Sequence, residues 1–371
     1  MSLSLRTTFY TMACTAGLFI LMYYGQPILV PMSIAILFAF ILFPICKRLE
    51  KWGLSRIPAT LISMVAVISL LLGVIYLFST QIVNLISDFS DFENKLRTMF
   101  DSVVNFVNNK VPLLPEIKEQ DIIEKGEDWA KNSGGAVLSN TFNTTVTVLS
   151  GLLMSLIFTF LLLIYRSGLV DVVVKTFRKQ PKNEVLSMVK EMQQVGQHYL
   201  LGMSIMILIL GFANSGALLA LGIDHFFFFG FLAAMLAIIP YVGTTLGATL
   251  PTLYALMTED SYWVPIGVVL CFWFIQLIES NFLSPKIVGG KLNINALMAI
   301  ISLIVGGYIW GIPGMALFLP LMAIAKVFFN HFEQFKPVAM LMGDDLYDSG
   351  REGGIRNIKK DIKKVFKKIE K

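Results

Sequence analysis

A carboxylate and two amides stand at the end of an apolar segment, at Gln276, Glu279 and Asn281. Gln276 and Glu279 are three residues apart, a spacing that places both side chains on one face of a helix. A carboxylate inside an apolar helix is costly unless it is paired or hydrated, and in membrane carriers such groups bind cations or relay protons. Glu279 is therefore a candidate for coupling to H⁺ or Na⁺. In the alternative interpretation, Glu279 lies at the lipid headgroups and pairs with Lys286 or Lys291.

A second candidate group surrounds a proline in the next apolar region towards the N-terminus. Pro240 removes a backbone donor and frees a carbonyl one turn earlier. Gly243 and Gly247 are four residues apart and allow another backbone to approach closely. Tyr241 and Thr244 add hydroxyl groups, so the run predicts a helix break with binding groups around it. The alternative is ordinary helix packing.

A third group is rich in glycine and comprises Gly307, Gly311, Pro313 and Gly314. This density of glycine exceeds what simple packing needs, and it predicts a tight turn at membrane depth. The alternative is a close crossing of two helices.

The composition indicates that these groups lie in a membrane. Of 371 residues, 56% are hydrophobic and 15% are charged, whereas soluble domains carry about 25% charged residues. The apolar residues also fall in blocks long enough to cross a bilayer. A soluble enzyme, a secreted disulfide scaffold and a disordered chain are therefore excluded.

The motifs that would indicate an enzyme are missing from the sequence. Gly289-Gly290-Lys291 lacks the spaced glycine of a phosphate-binding loop, and the three histidines are too scattered for a zinc site. We expect no enzymatic activity, no metal site and no cofactor beyond a coupling ion. Because the excess positive charge is concentrated in residues 355–371, we expect no nucleic-acid partner either.

The pattern predicts an all-α polytopic membrane protein with about eight transmembrane helices, some of them interrupted or re-entrant in the C-terminal half. We divide the chain into five parts. These are three transmembrane helices (1–79), an extracytoplasmic amphipathic helical insert (80–145), a fourth transmembrane helix with a basic cytoplasmic loop (146–194), a transport core (195–330) and a cytoplasmic basic amphipathic tail (331–371).

The C-terminal half offers four apolar pieces, at 226–239, 242–257, 264–283 and 296–329. They can form two re-entrant hairpins on either side of one crossing, or three ordinary crossings. We favour the hairpins because interrupted helices are tolerated in membranes where the freed backbone lines a cavity.

Cations in the short loops predict the orientation. The loops after the second and fourth spans carry most of them and should be cytoplasmic, which places both termini in the cytoplasm and the insert outside. These cations are Lys47, Arg48, Lys51, Arg56, Arg166, Lys175, Arg178, Lys179, Lys182 and Lys190.

The tail has an apolar stripe on an otherwise lysine-rich helix, which is typical of helices that lie on anionic lipid. The lysines expected to contact lipid are Lys359, Lys360, Lys363, Lys364 and Lys367. Helix pairing between subunits is the alternative.

Taken in order, these motifs resemble the autoinducer-2 exporter family of bacterial membrane proteins, some members of which are described as sodium–proton antiporters. The matching stretches are Ile239-Pro240-Tyr241-Val242-Gly243, Gln276-x-x-Glu279-x-Asn281-x-x-x-Pro285-Lys286, Gly306-Gly307 and Gly311-Ile312-Pro313-Gly314-Met315. The resemblance implies multi-pass insertion in the bacterial cytoplasmic (inner) membrane, a homo-oligomer such as a pentamer, and secondary transport of a small polar solute or of a cation. Many members carry His-Pro where this chain has Asn295-Ala296, and an asparagine does not titrate near neutrality.

Three functional hypotheses follow. The first is an exporter of a small polar, autoinducer-2-like solute, coupled to H⁺ or Na⁺, with the solute bound between the 240–247 and 306–314 breaks and Glu279 as the ion-sensitive group. The second is a sodium–proton antiporter without an organic substrate. The third is a non-transporting oligomeric membrane scaffold.

Overall fold

The computed structural model describes residues 5–87, 119–239, 242–259, 261–289 and 294–343, and every regular element in these ranges is helical. The all-α prediction is therefore confirmed. The first helices are α1 (Leu5–Tyr24), α2 (Gln26–Lys51), α3 (Arg56–Ser87), α4 (Glu119–Thr176) and α5 (Lys182–Ala220). They are followed by α6 (Phe226–Leu236), α7 (Val242–Thr258), α8 (Trp263–Ile278), two π-helical segments (Glu279–Leu283 and Pro285–Gly289), α9 (Ala296–Asn330) and α10 (Lys336–Met342).

Six of the described helices are long and apolar enough to cross a bilayer, which needs about twenty apolar residues. Two shorter apolar helices, Met12–Tyr24 and Phe226–Leu236, accompany them. Large apolar side chains such as Leu70, Leu153 and Phe212 face outward, as lipid-facing residues do. The protein is thus a multi-pass membrane protein.

The helix that carries the fourth predicted span is longer than expected. It begins at Glu119, inside the predicted insert, and runs 58 residues to Thr176, about 87 Å at 1.5 Å per residue. The predicted boundary at 145/146 falls within this helix. Residues 88–118 of the insert and residues 344–371, with the tail lysines, lie outside the described residues.

The chain divides into two compact units. One contains residues 1–63, 157–204 and 283–371, and the other contains residues 64–156 and 205–282. In the second unit, the core is formed by the buried side chains of Leu218, Phe228, Phe229 and Val268.

Helices α6 and α7, in the second unit, pack against each other as a hairpin. A side-chain carbon on Gly243 would overlap the carbonyl of Leu236, and one on Gly247 would lie 2.9 Å from the Cβ of Ala233. The two glycines thus permit the close backbone approach that the sequence predicted. The arms are about 16 Å and 26 Å long, shorter than a hydrocarbon core of about 30 Å.

Helix α9, in the other unit, also folds back on itself. Gly311 has φ 63° and ψ −142°, outside the helical range and in a region open to glycine. Gly306 and Gly314 lie so close that a side chain on either would overlap the backbone of the other. The indole of Trp310 meets the ring of Phe318 edge to face at 5.1 Å. The predicted tight turn is confirmed, and the first arm, 296–310, measures about 22 Å.

Candidate substrate site

A cavity of about 250 Å³ lies in the unit that contains residues 205–282. Helices α5, α6, α7 and α8 form its walls, and part of the wall is apolar, with Phe272 and Trp273. The polar residues of the lining are Asn214, Thr244, Thr245, Gln276 and Glu279. The cavity therefore joins the two sequence groups around Pro240 and Glu279, which are more than thirty residues apart.

Glu279 lines the cavity at the point where the α-helix changes its hydrogen-bonding pattern. Helix α8 ends at Ile278, and Glu279 begins a π-helical segment that continues to Leu283. Such wide turns inside helices are frequent at functional sites. Gln276, one turn earlier, places its side-chain amide close enough to interact with the Glu279 carboxylate, as the three-residue spacing predicted.

The first two turns of α7 form part of the cavity wall. Gly243, Thr244 and Gly247 line the cavity together with Thr245. The N-terminal end of a helix carries a partial positive charge, which favours a nearby carboxylate or an electronegative solute atom. The absence of side chains on the two glycines lets α6 and α7 pack closely beside the cavity.

Asn214 lines the cavity, although it is not among the site residues predicted from the sequence. It lies on α5, its side chain is 6% exposed, and it lines the cavity. Its Oδ1 atom has no hydrogen-bond partner among the described residues. An unpartnered buried carbonyl is costly, so this atom is ready to accept a hydrogen bond from a bound molecule.

The remaining candidates lie elsewhere. Asn281 does not line the cavity, and its exposed amide donates to the carbonyl of Leu277 at 2.8 Å. Pro240 and Tyr241 lie outside the described residues. The glycine-rich group belongs to the other unit, where it turns α9: Gly307, Gly311, Pro313 and Gly314. The hypothesis that the solute binds between the 240–247 and 306–314 segments stays a prediction.

Asn295, where the sequence departs from the family pattern, has a structural role. Its Oδ1 accepts from the Met298 N–H at 2.9 Å and caps α9. Its Nδ2 donates to the carbonyls of Leu341 and Gly343 at 2.8 and 3.0 Å. The side chain thus ties the start of α9 to the end of α10, and it carries no titratable group.

A small cavity with five polar side chains, enclosed by apolar helices of which two are too short to cross the bilayer, is typical of a membrane transport protein. Residues 12–334 match the AI-2E family transporters. The chain belongs to this family, so the resemblance noted in the sequence is confirmed.

Individual relatives are similar over most of their length. The chain is 22% identical over 322 residues to the AI-2 transport protein TqsA of Escherichia coli (strain K12), covering 86% of this chain and 91% of the relative. It is 26% identical over 314 residues to YueF of Bacillus subtilis (strain 168), covering 81% and 82%. It is 25% identical over 314 residues to YrrI of the same organism, covering 83% and 87%.

Proposed function

We propose that the protein is a secondary transporter that exports a small polar, autoinducer-2-like solute across the bacterial cytoplasmic membrane, coupled to H⁺ or Na⁺. The observation that carries this proposal is the cavity shared by Glu279, Thr244 and the unpartnered Oδ1 of Asn214. Sites for polar solutes combine a few fixed hydrogen-bonding groups with an apolar wall, and this cavity has both.

The size of the cavity favours a small solute. Its volume of about 250 Å³ is below the roughly 300–1,000 Å³ of pockets for drug-sized ligands. Amides at Asn214 and Gln276 and the hydroxyl of Thr244 suit a molecule with several hydroxyl or carbonyl groups. A bare cation would use only the oxygen atoms of these groups and would leave the amide N–H donors without an acceptor. The relative TqsA is named an AI-2 transport protein, which supports the same class of solute.

Coupling to an ion rests on Glu279. The residue lies within the described span Trp263–Ile287 and lines the cavity. Carboxylates at such positions in membrane proteins mark ion pathways and proton relays, since their burial is otherwise costly. A Na⁺ ion or a proton bound there would neutralise the carboxylate while the solute occupies the same cavity.

The orientation and assembly are part of the proposal. The cation bias of the loops supports cytoplasmic N- and C-termini. The family resemblance supports a homo-oligomer, with a pentamer as one arrangement. The short arms of α6 and α7 support a moving hairpin rather than a fixed channel, because such broken helices line the sites of carriers.

The test uses purified protein in proteoliposomes. With an imposed Na⁺ or H⁺ gradient, we expect uptake or release of a labelled autoinducer-2-type solute that E279Q reduces at least tenfold. The matched control is E259Q, since Glu259 belongs to the same unit but does not line the cavity. Equal flux in E279Q and wild type, with unchanged ion dependence, removes Glu279 from the mechanism.

The other hypotheses give different results in the same vesicles. Proton movement on adding Na⁺ without any organic solute, reported by a pH-sensitive dye, identifies the sodium–proton antiporter. No flux of any tested solute or ion, together with a stoichiometric partner protein in pull-downs, identifies the scaffold.

A further inference from the structure

A large apolar cavity in the other unit has no part in the proposed transport site. Its volume is about 710 Å³, and α2, α4 and the first half of α5 form its walls. Apolar side chains such as Phe40, Leu163 and Val170 cover most of the lining. The volume falls within the roughly 300–1,000 Å³ of pockets that bury most of a bound organic molecule.

A second cavity adjoins the first and is strongly cationic. Its volume is about 380 Å³, and it shares Phe43, Lys47 and Gln193 with the apolar cavity. Four cations line it, and no carboxylate is found among its described lining residues. These cations are Lys47, Arg48, Lys51 and Lys190. Like charges so close together are unfavourable until an anion binds between them.

The junction of the two cavities offers a further donor. The Arg166 guanidinium lies 5.2 Å from the ring centre of Phe43 and binds both carboxylate oxygens of Glu50 at 2.5 Å. Its Nη1 atom is buried and has no hydrogen-bond partner in the described part of the chain. The ammonium of Lys47 lies 5.8 Å from the same ring. A phosphate oxygen at this junction would find donors on two sides.

The position along α2 places the cations at the membrane surface. Residues 28–45 of this helix are apolar, and three of the four cations, Lys47, Arg48 and Lys51, follow directly in its last two turns. The cation bias predicts that this end of α2 is cytoplasmic. Anionic lipids are enriched in the cytoplasmic leaflet, and basic pockets between transmembrane helices on that side bind their headgroups.

We propose that these two adjoining cavities bind one anionic phospholipid. The phosphate lies among Lys47, Lys51 and Lys190, and an acyl chain extends into the apolar cavity along Phe40 and Val170. A soluble anion would leave the apolar cavity unfilled, and a zwitterionic lipid would bring its own headgroup cation next to the four cations of the second cavity. An anionic amphiphile satisfies both parts of the site.

The test titrates the purified full-length protein in detergent micelles with dioleoylphosphatidylglycerol, dioleoylphosphatidylcholine or glycerol 3-phosphate. Native mass spectrometry counts retained lipid, and thermal unfolding gives the affinity, because a ligand of the folded state raises the Tm. We expect saturable retention of one phosphatidylglycerol with a raised Tm. Phosphatidylcholine and glycerol 3-phosphate should produce neither effect.

Charge variants locate the headgroup. K47Q and K190Q should each weaken phosphatidylglycerol binding roughly fivefold, the effect of one lysine facing an anionic headgroup. The matched control is K182Q, which removes the same charge from the same helix as Lys190 but lines neither cavity. Equal affinity in K47Q, K190Q and K182Q overturns the proposal.

A cavity-filling variant locates the acyl chain. V170W should abolish retention of phosphatidylglycerol while the lipid-free protein keeps its oligomeric state by size-exclusion chromatography. If V170W does not fold, I36W fills the same cavity from α2. Retention unchanged in the folded variant, or equal binding of phosphatidylglycerol and phosphatidylcholine, contradicts the proposal. Binding of glycerol 3-phosphate as tight as that of the lipid identifies a site for a soluble anion instead.

Discussion

Gly306 and Gly314 face each other across the reversal of α9, so closely that a methyl group on either would overlap the backbone of the other. In a straight helix, residues eight positions apart are separated by about 12 Å. Their contact is therefore direct evidence that α9 is a hairpin. The positive φ of Gly311 between them supplies the turn.

The hairpin predicts a graded response to alanine. G306A and G314A should each destabilise the protein by about 1–3 kcal/mol, the usual cost of overpacking a tight contact. G307A should cost less, because its new methyl meets the flexible end of Met315. The control is G151A, which has open space around it on α4 and should be neutral or stabilising. Thermal unfolding in detergent measures the stability of all four variants. Equal losses of stability in the four would contradict the hairpin.

Substitutions at the neighbouring residues Asn214 and Ser215 can distinguish a role in solute binding from a role in helix packing. Both carry a buried oxygen with no hydrogen-bond partner among the described residues, but only Asn214 lines the cavity. N214L should therefore reduce solute flux about tenfold or more while the Tm stays constant or rises, since an unsatisfied group is removed. S215A should raise or preserve the Tm without loss of flux. Similar flux in both variants would argue against a solute contact at Asn214.

Asn295 makes two separable kinds of hydrogen bond. N295A should cost about 0.5–2 kcal/mol through the lost helix cap, and more through the lost donation to Leu341 and Gly343. N295D keeps the acceptor for the Met298 N–H but turns the donor into an acceptor that faces two carbonyls. Hydrogen exchange at residues 341–343 should therefore rise in both variants, whereas the start of α9 should loosen only in N295A. Unchanged hydrogen exchange at residues 341–343 in N295D would show that the hydrogen bonds from Asn295 to Leu341 and Gly343 do not stabilise the end of α10.

The ion pair of Arg166 and Glu50 should contribute measurably to stability. The two side chains are only 17% and 21% exposed, and the Nη2 atom of Arg166 donates to both carboxylate oxygens of Glu50. We expect R166K to cost about 1.5–3 kcal/mol, because lysine cannot keep both the hydrogen bonds to Glu50 and the planar stacking on Phe43. A double-mutant cycle with E50Q measures the coupling by thermal unfolding. If the loss of stability in the double variant equals the sum of the losses in R166K and E50Q, the two residues act independently.

Sequence patterns predicted the hairpins because backbone requirements are local. The turn in α9 needs glycine at Gly311, and the close approach of α6 and α7 needs Gly243 and Gly247. These demands are visible in the residue types themselves. The length of an apolar run also fixes whether it can cross a bilayer, so the fold class followed from composition and spacing.

The site was only partly predictable because a cavity depends on neighbours that are distant in sequence. Nothing local distinguishes Asn214 from a packing residue until α6, α7 and α8 enclose it. Asn281 was included for its chemistry, but a residue two positions after Glu279 does not share its helical face. Gln276 and Glu279 were correctly paired, since three-residue spacing does place side chains together.

The short arm of α6 has an electrostatic consequence. A helix of about 16 Å reaches roughly half-way through a hydrocarbon core of about 30 Å. If it starts at one surface, its tip ends near the midplane, and the thickness of low-dielectric material above the adjoining cavity is cut by about half. The free energy barrier that a dipolar molecule must cross to reach the cavity decreases as this low-dielectric layer becomes thinner. A solute that enters the cavity from that side would then cross a thinner low-dielectric layer than one that crosses the whole bilayer.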